Sequence, residues 1–239
     1  PLDVPDWAGK LVDLACAAGI KGACSSSGPL PGPSDPAGPR PGPSNPAGSA
    51  TTPVIVSSDP NDKIGPAGVG VQRIVATDGE LNYMIRFENM ITATAPVQEL
   101  VVLDLLNPNL DWATFQLRDI AYGGRLLSAP ANVTQFATRD FPVAPTIAGT
   151  VSGTMAIDVT AVLNPQTGRV EWRLRAIDTA TSAPPEDPFA GFLPPENGTG
   201  RGQGYVSFSI KPKAGIASGT VVSNSASIIF DTNEAIATN

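Results

Sequence analysis

The chain has 239 residues, a formal net charge of −7, 25 prolines, 24 glycines, 15% charged residues and no histidine. The missing histidine removes Ser–His and Cys–His nucleophile pairs, His-ligated zinc or iron and the imidazole proton shuttle, and two cysteines exclude a four-cysteine zinc site. The acidic balance argues against nucleic acid, which needs clustered Lys and Arg, and no apolar run of roughly 18 residues offers a membrane span.

The chain opens at Pro1 without an initiator Met, a basic n-region or an apolar h-region, which reads as a processed product or a piece of something longer. Residues 1–24 form a first unit. Asp6 suits an N-cap, and Trp7, Leu11, Leu14, Ala15 and Ala18 share one face of a short helix that Gly19 or Gly22 would end. Cys16 and Cys24 lie in the same segment. In an oxidising compartment they would close a small loop that stabilises by roughly 2–3 kcal/mol; in a reducing one they are two buried thiols. The composition elsewhere favours export and hence the disulfide.

Residues 25–53 are a Pro/Gly/Ser-rich linker containing a near repeat, PGPSDPAGPR at 31–40 and PGPSNPAG at 41–48. Glycine is not at every third position, so this is no collagen helix. It reads as an extended, polyproline-like spacer at roughly 3 Å per residue.

From residue 54 to 239 the pattern is all-β. Runs rich in Val, Ile, Thr, Phe and Tyr predict strands at about 53–57, 70–77, 80–88, 97–105, 114–121, 132–140, 151–162, 169–176, 203–211 and 219–230. Alternation is clearest in two of them. Leu81, Tyr83, Ile85 and Phe87 oppose Glu80, Asn82, Met84, Arg86 and Glu88; Val170, Trp172, Leu174 and Ala176 oppose Glu171, Arg173 and Arg175. About ten half-buried antiparallel strands predict an Ig-like two-sheet β-sandwich, preceded by the Pro-rich arm and the short N-terminal helix. The segment 164–168 (NPQTG) reads as a turn, and 178–202 as a long loop of the kind that carries function or is pinned by a ligand.

Two oxygen-rich clusters flank the β-region: Asp59, Asn61 and Asp62 after the first run, and Asp231, Asn233 and Glu234 after the last. Calcium wants six to eight such oxygens at about 2.3–2.6 Å, so these residues are candidate calcium ligands at the two ends of the domain. Their alternative role is to cap turns. Other chemistry is thinner. Glu171 with Asp178, or Glu186 with Asp187, would be carboxylate pairs for a glycosidase without an aromatic cleft beside them. Trp7, Trp112 and Trp172 could be sugar platforms, though the last two read better as core. Asn132 and Asn197 begin glycosylation sequons. Lys63, Lys211 or Lys213 with Asn224 would supply two of the three groups of an intramolecular isopeptide, as in some adhesins; the third is an acid buried beside them.

The stretch SSDPNDKIGPAGVGVQRIVATDGELNYMIRFENMITATAPVQELVVLDLLNPNLDWATF resembles a module of large secreted bacterial surface proteins. That module carries a DPNDK-x-GP-x-G opening, a Y-x-I-x-FEN strand and D-x-L-(N/D)PNLDW-x-TF. LNPQTGRVEWRLRAID, PEDPFAGFLPPENGTGRGQGYVSFSIKPKAG and SNSASIIFDTNEAIATN follow in the same order. The resemblance covers about 59–239 and implies an Ig-like sandwich on a secreted or cell-surface protein, with no catalytic residues. Members of that family run past this last segment into a Trp-containing stretch, so a chain ending at Asn239 is expected to lack one sheet edge.

The combined expectation is a non-enzymatic extracellular structural module, stiffened by calcium. It would self-assemble into a homo-oligomeric filament through its arm, with Trp7, Leu11 and Leu14 as a plug and Val54, Ile55 and Val56 as an added strand. The competing expectation is an adhesin or carbohydrate-binding module that meets a surface glycan through the 178–202 loop.

Overall fold

A computed structural model of the chain describes residues 60–141 and 155–239. Eleven strands occur there and no helix, so no described helix is long and apolar enough to cross a membrane. In chain order they are β1 (Lys63–Ile64), β2 (Leu81–Glu88), β3 (Glu99–Leu105), β4 (Leu110–Tyr122), β5 (Arg125–Ser128), β6 (Gln135–Asp140), β7 (Met155–Asn164), β8 (Arg169–Asp178), β9 (Gln203–Pro212), β10 (Ala226–Phe230) and β11 (Ile236–Ala237). They form two antiparallel sheets, ordered β1-β2-β9-β4-β5 and β11-β10-β3-β8-β7-β6. The fold is thus an all-β sandwich.

Alternation decides which side of each strand meets the other sheet. Leu81, Tyr83, Ile85 and Phe87 of β2 are buried, as are Val170, Trp172, Leu174 and Ala176 of β8, matching the faces read from sequence. Phe208 of β9 sits at the centre of the core. It stacks on Tyr83 with ring centroids 5.0 Å apart and meets Phe115 at 5.2 Å and Trp172 at 5.9 Å. Such aromatic pairs add to the area they remove from water.

Several expectations change. The strand expected at 70–77 is a turn: Arg73 bonds back to Gly70, a single bridge joins Val69 to Ile74, and Gly68, Gly70 and Arg73 all have positive φ. Val69, Val71 and Ile74 are exposed there, and only Val75 packs against the core. The run expected at 219–230 becomes a strand only from Ala226. Three short strands went unread, namely β1, β5 and β11. The expected arm, the helix expected around Cys16 and Cys24, and the strand expected at 53–57 lie outside the described residues.

The NPQTG turn behaves as expected and gains a second constraint. Gly168 has φ +70°, and a β-carbon there would lie 2.5 Å from the Trp112 ring. Trp112 in turn donates from Nε1 to the Asn107 carbonyl at 3.3 Å, which makes it a structural ring rather than an exposed sugar platform. Gly168→Ala is expected to cost about 1–3 kcal/mol from backbone strain alone, with the ring clash added. A urea melt followed by tryptophan fluorescence measures it.

Candidate functional site

The oxygen-rich segment before β1 docks that strand. Asn61 is buried and its Oδ1 accepts from the Glu88 amide at 3.3 Å, while Asp62 forms a two-pronged ion pair with Arg86. The effect is to fix a strand of only two residues against β2, in register Lys63↔Ile85. With its neighbours held, Lys63 sends its side chain inward rather than to solvent.

That side chain crosses from one sheet to the other. Lys63 Nζ donates to Oδ2 of Asp104, the two side chains being 1% and 0% exposed. Asp104 sits on β3, paired to Val170 on one side and to Ala226 of β10 on the other. In β3 the inward positions are Leu100, Val102 and then Asp104, so a carboxylate occupies a core position by strand geometry. The ammonium lies 5.1 Å from the Tyr83 ring centre and 5.3 Å from that of Phe208, which wall it from water.

Asn224, just ahead of β10, brings its carboxamide to the same carboxylate and favours its ionised form. The contact is incomplete. Asn224 Nδ2 and Asp104 Oδ1 are both buried and neither has a partner in hydrogen-bonding geometry. Unmatched buried polar atoms are uncommon and costly. The segment is steered there by Asn107, whose Nδ2 donates to the Ser223 carbonyl at 2.9 Å. The other two lysines singled out from sequence, Lys211 and Lys213, are exposed.

Burial works against charge on both groups of the centre. It pushes the Lys63 amine below its ordinary value against the opposing pull of Asp104. It pushes the Asp104 carboxyl above its ordinary value against Lys63 and Asn224. Both directions lower the cost of passing a proton from the amine to the acid within the pair.

Three of the expected metal ligands, Asn61, Asp62 and Asp231, hold hydrogen-bond or ion-pair partners within the chain. Asn61 and Asp62 are engaged as described. Asp231, at φ +52°, lies at the far end of β3 from Asp104 and its Oδ1 accepts from the amides of Gln98 at 2.9 Å and Glu99 at 2.8 Å. The Asn233 amide donates to the Phe230 carbonyl at 3.0 Å, and Glu234 is exposed. Asp59 lies outside the described residues. Among those described, no three Asp, Glu or Cys side chains converge as a metal group would require.

The 178–202 loop is held by its own chain. Phe192 and Leu193 are buried, Leu193 bridges Val97, and Asn89 Nδ2 donates to the Leu193 carbonyl at 2.9 Å. Glu196 accepts at Oε1 from the amides of Gly198 at 2.7 Å and Gly200 at 2.8 Å, and at Oε2 from that of Gly202 at 2.7 Å. Burial raises the Glu196 carboxyl, but these amides more than offset it and hold it below the ordinary value of 4.5. A depressed carboxyl stabilises the fold above 4.5 and loses that contribution as pH falls through its lowered value. Glu196→Gln is therefore expected to cost about 1–3 kcal/mol at neutral pH. The gap from wild type should narrow in acid, read by thermal melts across that range.

On the outer face of the six-stranded sheet, a depression of about 430 Å³ is lined by Thr138, Asp158, Thr160, Arg173 and Arg175. Arg173 there is already paired with Glu99 and Glu171.

The fold is thus a two-sheet all-β domain in which a buried lysine from one sheet meets a buried aspartate of the other. The chain belongs to the family described as a domain of unknown function (DUF7619), matched over residues 59–146 and 190–239. No curated protein matches it. Among solved structures it is similar to domains D2 and D3 of the major pilin SpaD from Corynebacterium diphtheriae. The identity there is 13% and the TM-score 0.38, over 75% of this chain and 50% of that one. It is also similar to the group B streptococcus pilus 2b backbone protein, at 15% identity and TM-score 0.36, over 67% of this chain and 51% of that one. The chain spans about half the length of each.

Sequence reading named Lys63 and Asn224 among several alternatives and missed Asp104. The available signal was the inward register of 99–105, which sets an acid where the pattern asks for an aliphatic residue.

Proposed function

We propose that the domain is a non-enzymatic structural module of a secreted or cell-surface protein. The observation that carries this reading is the direction of its reactive groups. The buried amine, acid and amide of Lys63, Asp104 and Asn224 face the interior between two sheets, sealed by aromatic rings, where no substrate has access. Chemistry so placed acts on the domain itself. The resemblance to modules of secreted bacterial surface proteins supports the location, and the Pro-rich segment at 25–53 suits a spacer that holds such a module away from its anchor.

Two finer elements belong to the same proposal: calcium at the Asp59–Asp62 and Asp231–Glu234 segments, and head-to-tail assembly through the arm. Protease added to intact source cells should remove the domain, and cleavage only after lysis would reject a surface location. Negative-stain microscopy of the purified chain, with millimolar calcium and after chelation, tests the rest. Filaments that loosen on chelation support both elements, and single particles in either condition reject assembly.

A further inference from the structure

We infer that Lys63 and Asn224 become joined by an intramolecular isopeptide bond, formed without any other component, with Asp104 as the proton carrier. Three features of the buried centre converge on this bond. The amine and the carboxamide approach one carboxylate from opposite sheets. Each reactant arrives on a segment held elsewhere, β1 by Asn61 and Asp62 and the Asn224 segment by Asn107. The carboxamide has no complete hydrogen-bond set in the unlinked state, although its nitrogen is buried.

The step balances within these three side chains. It begins with a proton passed from the ammonium to Asp104 along their hydrogen bond, a transfer that burial of both groups eases and that leaves a neutral, nucleophilic amine and a carboxylic acid. Nζ attacks Cγ of Asn224, and Asp104 gives its proton to the carboxamide oxygen as the tetrahedral carbon forms. The Asp104 carboxylate then takes a proton from Nζ and delivers it to Nδ2. The Cγ–Nδ2 bond breaks, the oxygen returns its proton to Asp104, and ammonia leaves. One Nζ–Cγ bond replaces one Cγ–Nδ2 bond, nothing is oxidised or reduced, and Asp104 ends as the acid it was. The Tyr83 and Phe208 rings exclude the water that would otherwise hydrolyse the amide, and fixed geometry supplies the rate. Asp104 acts on the reacting atoms and is catalytic in a single-turnover sense.

The bond would join the edge strand of one sheet to the segment leading into β10 of the other. Its ends lie near the two ends of the sandwich in sequence, so nearly the whole domain falls inside one covalent loop. The inference concerns the interior of the domain and is independent of where the protein resides, so its failure would leave the surface reading standing.

Intact-mass spectrometry of the purified full chain, fully denatured, decides it. The expected mass is lower than the sequence mass by one ammonia. Tandem spectra should locate the loss in a branched peptide carrying Lys63 and Asn224, which separates it from succinimide formation at Asn197-Gly198. Lys63→Met, Asp104→Ala and Asn224→Ala should each restore the full mass expected for that variant. Wild-type protein at its full sequence mass, after refolding and prolonged incubation, would overturn the inference without recourse to any variant. So would a loss mapped to any other residue, or an Asp104→Ala protein that still loses ammonia between Lys63 and Asn224.

Discussion

Asp104→Ala is expected to lower the stability of the sandwich by about 3–5 kcal/mol when measured in an Asn224→Ala background, where no bond to residue 224 can form. The carboxylate and the Lys63 ammonium are both sealed from solvent, and removing the acid leaves the amine with two aromatic rings and no counter-charge. Such a lysine escapes part of the cost by shedding its proton. Its value, already below 10.5, falls further once Asp104 no longer pulls it up. The sign follows directly. A folded state with a depressed lysine binds fewer protons than the unfolded chain. Its penalty is therefore largest below the depressed value and fades as pH rises toward 10.5. With Asp104 present the proton passes between the two groups, and the same pH dependence is muted. Urea melts from neutral to alkaline pH should show the two proteins converging. A constant gap would mean that Asp104 acts through packing alone. Replacing both partners, as Lys63→Met with Asp104→Leu, should recover most of the loss, since an apolar pair of similar volume often matches a buried ion pair.

The same residues explain what the sequence made legible. Strands such as β2 and β8 were readable because each buries one face, and period-two alternation reports that burial directly. The hairpin at Gly68–Ile74 misled because β-branched residues mark a strand only when a second surface covers them, and Val69, Val71 and Ile74 have none. β1, β5 and β11 are too short to show a period. The site lay in plain view yet divided among three places. Lys63 closes the DPNDK segment, Asp104 opens DLLNPNLDW and Asn224 begins NSASIIF. These are motifs on which the family resemblance rests, but no spacing rule relates them, because the sheet order that brings β1 across from β3 and β10 is a long-range property. The oxygen-rich character of DPND and FDTN was equally legible. Their partners were not, because the Arg86 guanidinium and the Gln98 and Glu99 amides reach them only through strand pairing.

Asn224→Ala should then reveal how much a bond at this place contributes beyond the ion pair. Linking residues 63 and 224 closes a loop of roughly 160 residues, and on the chain-entropy account such a loop restricts the unfolded state by about 5 kcal/mol. For a domain of this size each kcal/mol moves the melting midpoint by about 2–4 °C. The variant is therefore expected to melt roughly 10–20 °C below wild type, far more than the loss of one incomplete hydrogen bond at a half-buried asparagine would produce. Limited proteolysis separates the two causes. In wild type, a single cut in an exposed loop between residues 63 and 224 should leave the two fragments attached in denaturing gels, because they stay joined through Nζ and Cγ. In Asn224→Ala the same cuts should release them. Under force the contrast should be sharper still. Tension applied at residues 60 and 239 would pass through the side-chain bond near each end and bypass the strands between. Pulling on wild type should then extend only residues 60–62 and 225–239, with β10 and β11 among them, whereas Asn224→Ala should extend through the whole sandwich. Equal extension in both proteins would mean that the strands carry the load and the centre is an ion pair only.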